Sequence, residues 1–478
     1  MSSIYQPVKR IGHSSVQVGD YLYIWGGGEQ PGLPGVHNNK EKKSMCSVVE
    51  VCHVPTGMWV QKPTTGNPPL GVEGYTAAVI RNELFFFGGY CGHLGCFHNS
   101  LYSFNVDTFN WKELSPTTSH HSPMMKDNCA MVALCLNDED YLAVIGGAGS
   151  SSNNTRPQPG AQYSGDGDLQ RCNEVHMYRL KTGKWTSPTV TGDRPPPISA
   201  FTLTSITNTT AILFGGNFGD RRCDDVYVFQ FTDTSVNCTK FPNPRGSVQW
   251  PKGRSDHSSV LINCSSGPHV VVVGGLGTKD CWLLNNKMKW KQLTYIPDSV
   301  TDRSFHSLSV WSETPTTHWI IEFGGWRDGS FLSETKFIEI ISSTGDLVVQ
   351  SVLDINEYQK RRVLEGLAKV HITKDPALYK DILDKKPQTY DLLRLFNSSA
   401  AHYKVIGIAL SVPVRDLLPY PEATTDNLIL VFQRWIESDK GVTWRKILQV
   451  CEDYPDQLGQ AKAEVKGFLS SDRARNSY

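Results

Sequence analysis

Glu83-Leu84-Phe85-Phe86-Phe87-Gly88-Gly89 decides the reading of this chain. Its short apolar run is a buried strand, and two glycines end it. The same phrase recurs as YLYIWGG, YLAVIGG, AILFGG, HVVVVGG and HWIIEFGG, with doublets beginning at Gly26, Gly146, Gly215, Gly274 and Gly324. Self-similarity at a spacing of 50 to 69 residues marks a repeat architecture. Two more markers keep the same phase. Upstream stand Gly12-His13-Ser14-Ser15, Asp256-His257-Ser258-Ser259 and Phe305-His306-Ser307-Leu308. Downstream a further strand and a turn lead to Trp59, Trp111, Trp185 and Trp290, while the fourth and sixth units lack this Trp.

Each unit thus predicts four strands. The innermost carries the His-Ser or its replacement, the second ends in Gly-Gly, and the third is like Leu101-Tyr102-Ser103-Phe104-Asn105-Val106, with period-two alternation. The fourth carries the Trp. One such sheet cannot bury both faces, but six packed around an axis can. Glycine after the second strand permits a positive φ and close backbone approach.

Composition divides the chain near residue 350. Of the 41 glycines, 36 lie before it; the last part is charge-rich and Gly-poor, which suits helices with solvated faces. Asp426–Ile436 places Leu428, Val431, Phe432 and Trp435 at helical spacing. Thr443 is the expected N-cap of a helix carrying Trp444, Ile447, Leu448 and Cys451. Pro455 suits a helix start, with Leu458, Ala461, Val465 and Phe468 on one face.

Lys+Arg and Asp+Glu both number 47, so net charge argues against a general nucleic-acid binder. No apolar run reaches membrane-spanning length, and the N-terminal segment lacks a signal-peptide core. The expectation is a cytoplasmic protein whose 12 cysteines are thiols. Recurrence of His13, His257 and His306 at one repeat position reads as structure, not catalysis; the chain is expected to be no enzyme and to need no cofactor. Cys91, His93, Cys96 and His98 are zinc-competent side chains within one short loop. Their spacing matches no known finger, and they are read as an ordinary loop without metal.

The doublets with spaced Tyr and Trp resemble the kelch repeat. That resemblance implies an all-β six-bladed propeller over residues 8–352. The closing strand is expected at Leu347–Val352, with Ile4–Val8 as the alternative. The helical end is similar to the death domain, in which one Trp ends a helix and another opens the next, here Trp435 and Trp444. It implies a helical or polar linker over 353–387, an all-α six-helix death-like domain over 388–470 and a disordered tail over 471–478. Its surface candidates are Arg434, Glu437, Arg445 and Lys446, in homotypic contact with death-fold proteins or with itself.

Around one mouth of the propeller, Thr191–Pro196, Asn217–Asp225 and Gly253–Ser258 resemble the kelch-domain ubiquitin-ligase substrate receptors, which bind a substrate's C-terminal carboxylate with arginines and a serine. Arg222 matches one arginine and Ser255 the serine. Asn217 stands where a second arginine is expected and Asp256 where a Trp is expected. Alternatively, Arg221 and Arg222 simply pair with Asp224 and Asp225. No adaptor-binding box is legible in Val352–Lys369. The leading expectation is therefore an interaction adaptor in signal transduction. Its propeller holds a protein or peptide partner through Tyr90, Asn217, Arg222, Ser255 and Trp326, without nucleic acid or membrane insertion. A ubiquitin-ligase receptor for peptide degrons is the alternative.

Overall fold

The computed structural model describes residues 5–28, 48–70, 72–92, 96–115, 122–150, 158–165, 169–246, 249–343, 346–372, 382–417, 420, 423–469 and 474. The chain forms two compact units, Met1–Lys360 and Arg361–Tyr478.

The first unit holds six four-stranded antiparallel meanders, each running in chain order from its first strand to its fourth. The first strands are Ser14–Val18, Thr76–Ile80, Ala130–Leu136, Thr202–Thr207, Ser258–Cys264 and Ser307–Ser312. Each touches the next, and the sixth touches the first. Six apolar clusters fill the six spaces between neighbouring sheets, the last joining Trp319, Ile321 and Phe323 to Leu22, Ile24 and Trp59. Two-faced burial explains why the second strands are continuous apolar runs rather than alternating ones.

The recurring Trp packs back onto the residue just before the preceding doublet. Trp111 lies 5.1 Å from Trp25, Trp185 5.5 Å from Phe87, Trp290 4.8 Å from Phe214 and Trp59 5.2 Å from Phe323, between ring centroids. Aromatic pairs of this kind add about 0.5–1.5 kcal/mol beyond their buried area. The fourth and sixth units follow Ile145 and Val273, smaller residues that offer no ring to meet, and those units carry Val236 and Leu347 in their fourth strands instead. The missing Trp is thus matched by the sheet in front of it.

The sixth sheet ends on Asp346–Asp354, paired with Thr335–Ser343 of its own unit. Tyr5–Lys9 form no strand; Tyr5 instead donates its hydroxyl to Glu50 Oε1, 2.6 Å away. Two features exceed the expected pattern. Thr65–Gly66 and Thr189–Gly192 add short parallel strands to the outer edges of the second and fourth sheets, covering backbone groups that the fourth strand leaves open. The longest repeat spacing holds an extra small sheet, Ala148–Ser150, Tyr163–Ser164 and Leu169–Cys172.

The compact unit also passes the expected limit at residue 352. The helix Ile355–Ile372 begins by burying Tyr358, stacked 3.7 Å from Phe337, and Gln359 Nε2 donates to Gly57 O at 2.8 Å. Its first turn belongs to the propeller rather than to a linker.

The second unit contains, among its described residues, helices Thr389–Phe396, Tyr403–Ala409, Thr424–Ser438, Trp444–Asp453 and Pro455–Leu469, with a 3-10 segment at Asn397–His402. Thr443 caps its helix by accepting from Lys446 N. Trp435 and Trp444 are fully buried in one core with Leu428, Val431, Leu458 and Phe468. The linker residues 373–381 and most of the expected tail lie outside the described residues; Ala474, within that tail, is buried in this core, so the chain is not free there. Among the described residues no helix is long and apolar enough to cross a membrane.

Candidate functional site

The residue two positions before each first strand takes a positive φ: Gly12 59°, Gly74 65°, Asn128 47°, Ala200 55°, Asp256 57° and Phe305 56°. These six join in a closed backbone ring. Gly74 N donates to Gly12 O, Asn128 to Gly74, Ala200 to Asn128, Asp256 to Ala200, Phe305 to Asp256, and Gly12 to Phe305, at 2.7–3.1 Å. Below the ring the first strands line a cavity of about 260 Å³.

The residue preceding each ring member pairs with the residue after the doublet in the same unit. The bridges are Ile11–Gly28, Glu73–Tyr90, Asp127–Ala148, Ser199–Asn217 and Ser304–Trp326, and Leu276 N donates to Ser255 O at 2.9 Å. Gly28, Tyr90, Ala148, Asn217, Leu276 and Trp326 therefore stand side by side around one mouth, on a frame of paired backbone.

At that mouth the candidate residues differ in what they can offer. Trp326 is 36% exposed and starts a small hairpin opposite Phe331. Tyr90 is half-buried, with its ring 5.1 Å from Phe97. Arg222 is exposed, and its Nη1 donates to Leu276 O at 2.6 Å, reaching from the fourth unit to the fifth. Asn217 is spent locally, since its Oδ1 accepts from Gly219 N at 2.7 Å. Ser255 needs correction as a partner contact. It is 1% exposed and its hydroxyl donates to Asp256 Oδ2 at 2.8 Å.

The alternative pairing of Arg221 and Arg222 with Asp224 and Asp225 is also corrected. Asp225 binds Lys240 on the facing strand at 2.8 Å, and Asp224 binds Arg245 at 3.3 Å. Arg221 instead lies 5.4 Å over the Phe218 ring.

Of the carboxylates at the mouth, Asp256 was singled out from the sequence, while Glu73 and Asp127 were not. Burial pushes Asp127 up to about 7, and burial also raises Glu73 and Asp256; Glu73 and Asp256 raise Asp127 further, while Arg222 lowers Asp256. Only the repeat alignment could have found them, since Glu73 and Asp127 occupy the position directly before the ring.

Three buried cations form a second missed set, legible as Arg three residues before His. Arg10, Arg254 and Arg303 donate through Nη1 to the carbonyls of Gly26, Gly274 and Gly324 at 2.8–3.0 Å. Their carboxylate partners are Glu50, Asp280 and Glu334, and Lys126 takes the same place with Glu174. Such buried pairs hold the frame of the mouth. The three histidines serve packing too. Burial pushes His13, His257 and His306 down, leaving them neutral, and a Cβ on Gly324 would lie only 2.7 Å from the His13 ring.

On the second unit's surface, Arg434 grips Asp416 with both Nη atoms at 2.9 and 2.6 Å, and Arg445 grips Asp384 at 2.8 and 3.0 Å. Glu437 is exposed and Lys446 half-buried. Cys91, Cys96 and His98 come together, with one ligand atom of each within 4.8 Å of the others; His93 lies outside the described residues.

The family description KLHDC2/KLHL20/DRC7 Kelch-repeats domain matches residues 3–157 and 160–344. Kelch domain-containing protein 1 of Homo sapiens is 24% identical, over 68% of this chain and 78% of its own length. Kelch domain-containing protein 2 of Bos taurus is 24% identical, over 67% and 76%. Host cell factor of Drosophila melanogaster is 25% identical, over 56% of this chain and 16% of its own. Among solved structures, the one titled "Structure of YjhT" aligns with a TM-score of 0.49 at 14% identity, covering 72% of this chain and 99% of that one.

Proposed function

The chain belongs to the KLHDC2/KLHL20/DRC7 kelch-repeat family, and from that premise we propose that its propeller, with six blades, is a protein-interaction domain whose mouth holds a peptide segment of a partner. The observation that carries this reading is the convergence of Tyr90, Trp326 and Arg222 on one mouth built over a closed backbone ring. Aromatic surface supplies apolar contact, and a guanidinium supplies a donor fork that orients the ligand. A rigid frame keeps the ordering cost of binding low.

A free C-terminal carboxylate is a poor match for this mouth. Ser255 is buried, Asn217 is engaged with Gly219, and Asp256 adds negative charge beside Arg222. The ligand is an internal or side-chain-anchored peptide, and a degron-receptor role takes second place. The helical unit is a death-like module making homotypic contacts, which makes the whole chain a non-catalytic adaptor in signal transduction. Nine described cysteines outside the Cys91–Cys96 pair are free thiols, which suits a reducing compartment such as the cytoplasm.

The test is partner capture by the full chain, compared with Trp326→Ala, Tyr90→Ala and Arg222→Ala. Trp326→Ala and Tyr90→Ala are expected to lose the partner and Arg222→Ala to weaken it. If all three capture it unchanged, the mouth is not the reader.

A further inference from the structure

We propose that Cys91, Cys96 and His98 form a zinc site in the hairpin that follows the second doublet. The backbone explains why they meet. Tyr90 bridges Phe97, and Cys91 N donates to Cys96 O at 3.3 Å, so residues 90–91 and 96–97 are the two legs of a hairpin. Cys91 is the cross-strand neighbour of Cys96. His98 lies two residues beyond Cys96, and period two returns it to the same face. The other face carries the Tyr90–Phe97 ring pair. Alternation thus sorts the ligands to one side of the hairpin and the aromatics to the other.

The distances fit a metal of this class. Zinc holds thiolate sulfur at about 2.3 Å and imidazole nitrogen at about 2.0–2.1 Å in a tetrahedron, which sets a sulfur-to-nitrogen edge of about 3.6 Å. Cys96 Sγ and His98 Nε2 stand 3.8 Å apart, and all three ligand atoms lie within 4.8 Å of one another. Two thiols and an imidazole are soft to borderline donors, suited to zinc and unsuited to magnesium or calcium. Cys91 is 4% exposed and the other two are half-buried, so the site is sheltered yet reachable. Binding displaces one proton from each thiol to solvent and leaves two thiolates on the metal. The fourth position falls to water or to a further donor. The bound ion would fix the hairpin on which Tyr90 and Phe97 reach the mouth.

The experiment uses the full chain, purified reduced and without a histidine tag. Zinc content is measured after gel filtration, and Co2+ replaces zinc as a spectroscopic probe. One zinc per chain is expected, together with a thiolate-to-cobalt charge-transfer band. Cys91→Ala, Cys96→Ala and His98→Ala should each weaken zinc by more than about tenfold, the least that even outer partners of a zinc site contribute. Cys135→Ala, at a half-buried thiol outside the hairpin, should leave affinity unchanged. Thermal unfolding of metal-free samples checks that each variant folds. Absence of stoichiometric zinc overturns the site, as does a cobalt band that survives in the Cys91→Ala/Cys96→Ala double variant. A Cys91–Cys96 disulfide that excludes metal in protein purified under reducing conditions also overturns it.

Discussion

The amide of Gly12 donates to the carbonyl of Phe305, 3.1 Å away, and so joins the first repeat to the sixth. It is the closing member of a ring in which all six units give one hydrogen bond and take one. The contact bridges nearly the whole first unit, so its loop-closure entropy is offset only when every sheet between is in place. Stability at the mouth is therefore a property of the complete ring.

Ring backbone predicts opposite effects for two small substitutions. Ala200 holds φ at 55°, a region that costs an L-residue about 1–2 kcal/mol. Ala200→Gly relieves that and is expected to stabilise by up to about 1 kcal/mol, after the entropy cost of glycine. Gly12→Ala puts a Cβ 3.1 Å from Gly74 N and is expected to cost about 1–3 kcal/mol. Gly19→Ala, also at positive φ but with nothing within 4 Å, should cost less. Denaturant midpoints of the three variants check the order.

Glu322 is expected to make the stability of the propeller depend on pH. It is fully buried where other second strands carry apolar residues, and burial pushes its carboxyl up to about 8, against the lowering effect of Arg303. The folded state binds the proton more tightly than the unfolded chain. The stabilisation is complete below about 4.5 and is lost as pH rises through about 8. Glu322→Gln should flatten the melting temperature over that window, raising it on the alkaline side. An unchanged slope counts against a protonated Glu322.

The two units should respond separately to core damage. Trp435 is 1% exposed in the helical core, and truncating a buried Trp costs about 3–5 kcal/mol. Trp435→Ala is expected to melt the helical unit early while the propeller transition, followed by strand signal, stays in place. One merged transition shifted as a whole contradicts independent folding.

How far the sequence could be read depends on whether its signal was local. Gly-Gly, the downstream Trp, Thr443 and Pro455 each act through their own neighbours, and strand order, caps and core followed from them. The ring was hidden because glycine occupies only two of its six positive-φ places; Asn128, Ala200, Asp256 and Phe305 carry no such mark. Ser255 looked like a mouth hydroxyl because its burial depends on the pairing of Leu276 with it, a contact set by the fold. Asp224 and Asp225 seemed partners for their sequence neighbours, yet the facing strand and the turn beyond it supply Lys240 and Arg245. Cys91, His93, Cys96 and His98 were legible as a cluster, but the convergence of Cys91, Cys96 and His98 required a register that spacing alone does not give.

The mouth is proposed to read a protein partner. The most direct measurement of this is site-specific photo-crosslinking, with a photoreactive residue at position 326 or 90 of the full chain and at position 295 as control. Tyr295 is 93% exposed and away from the bridges that build the mouth. One partner protein should be crosslinked from both 326 and 90, through an internal peptide, and not from 295. Adducts equally strong from 295, or none from 326 and 90 while the partner still co-purifies, would contradict that reading.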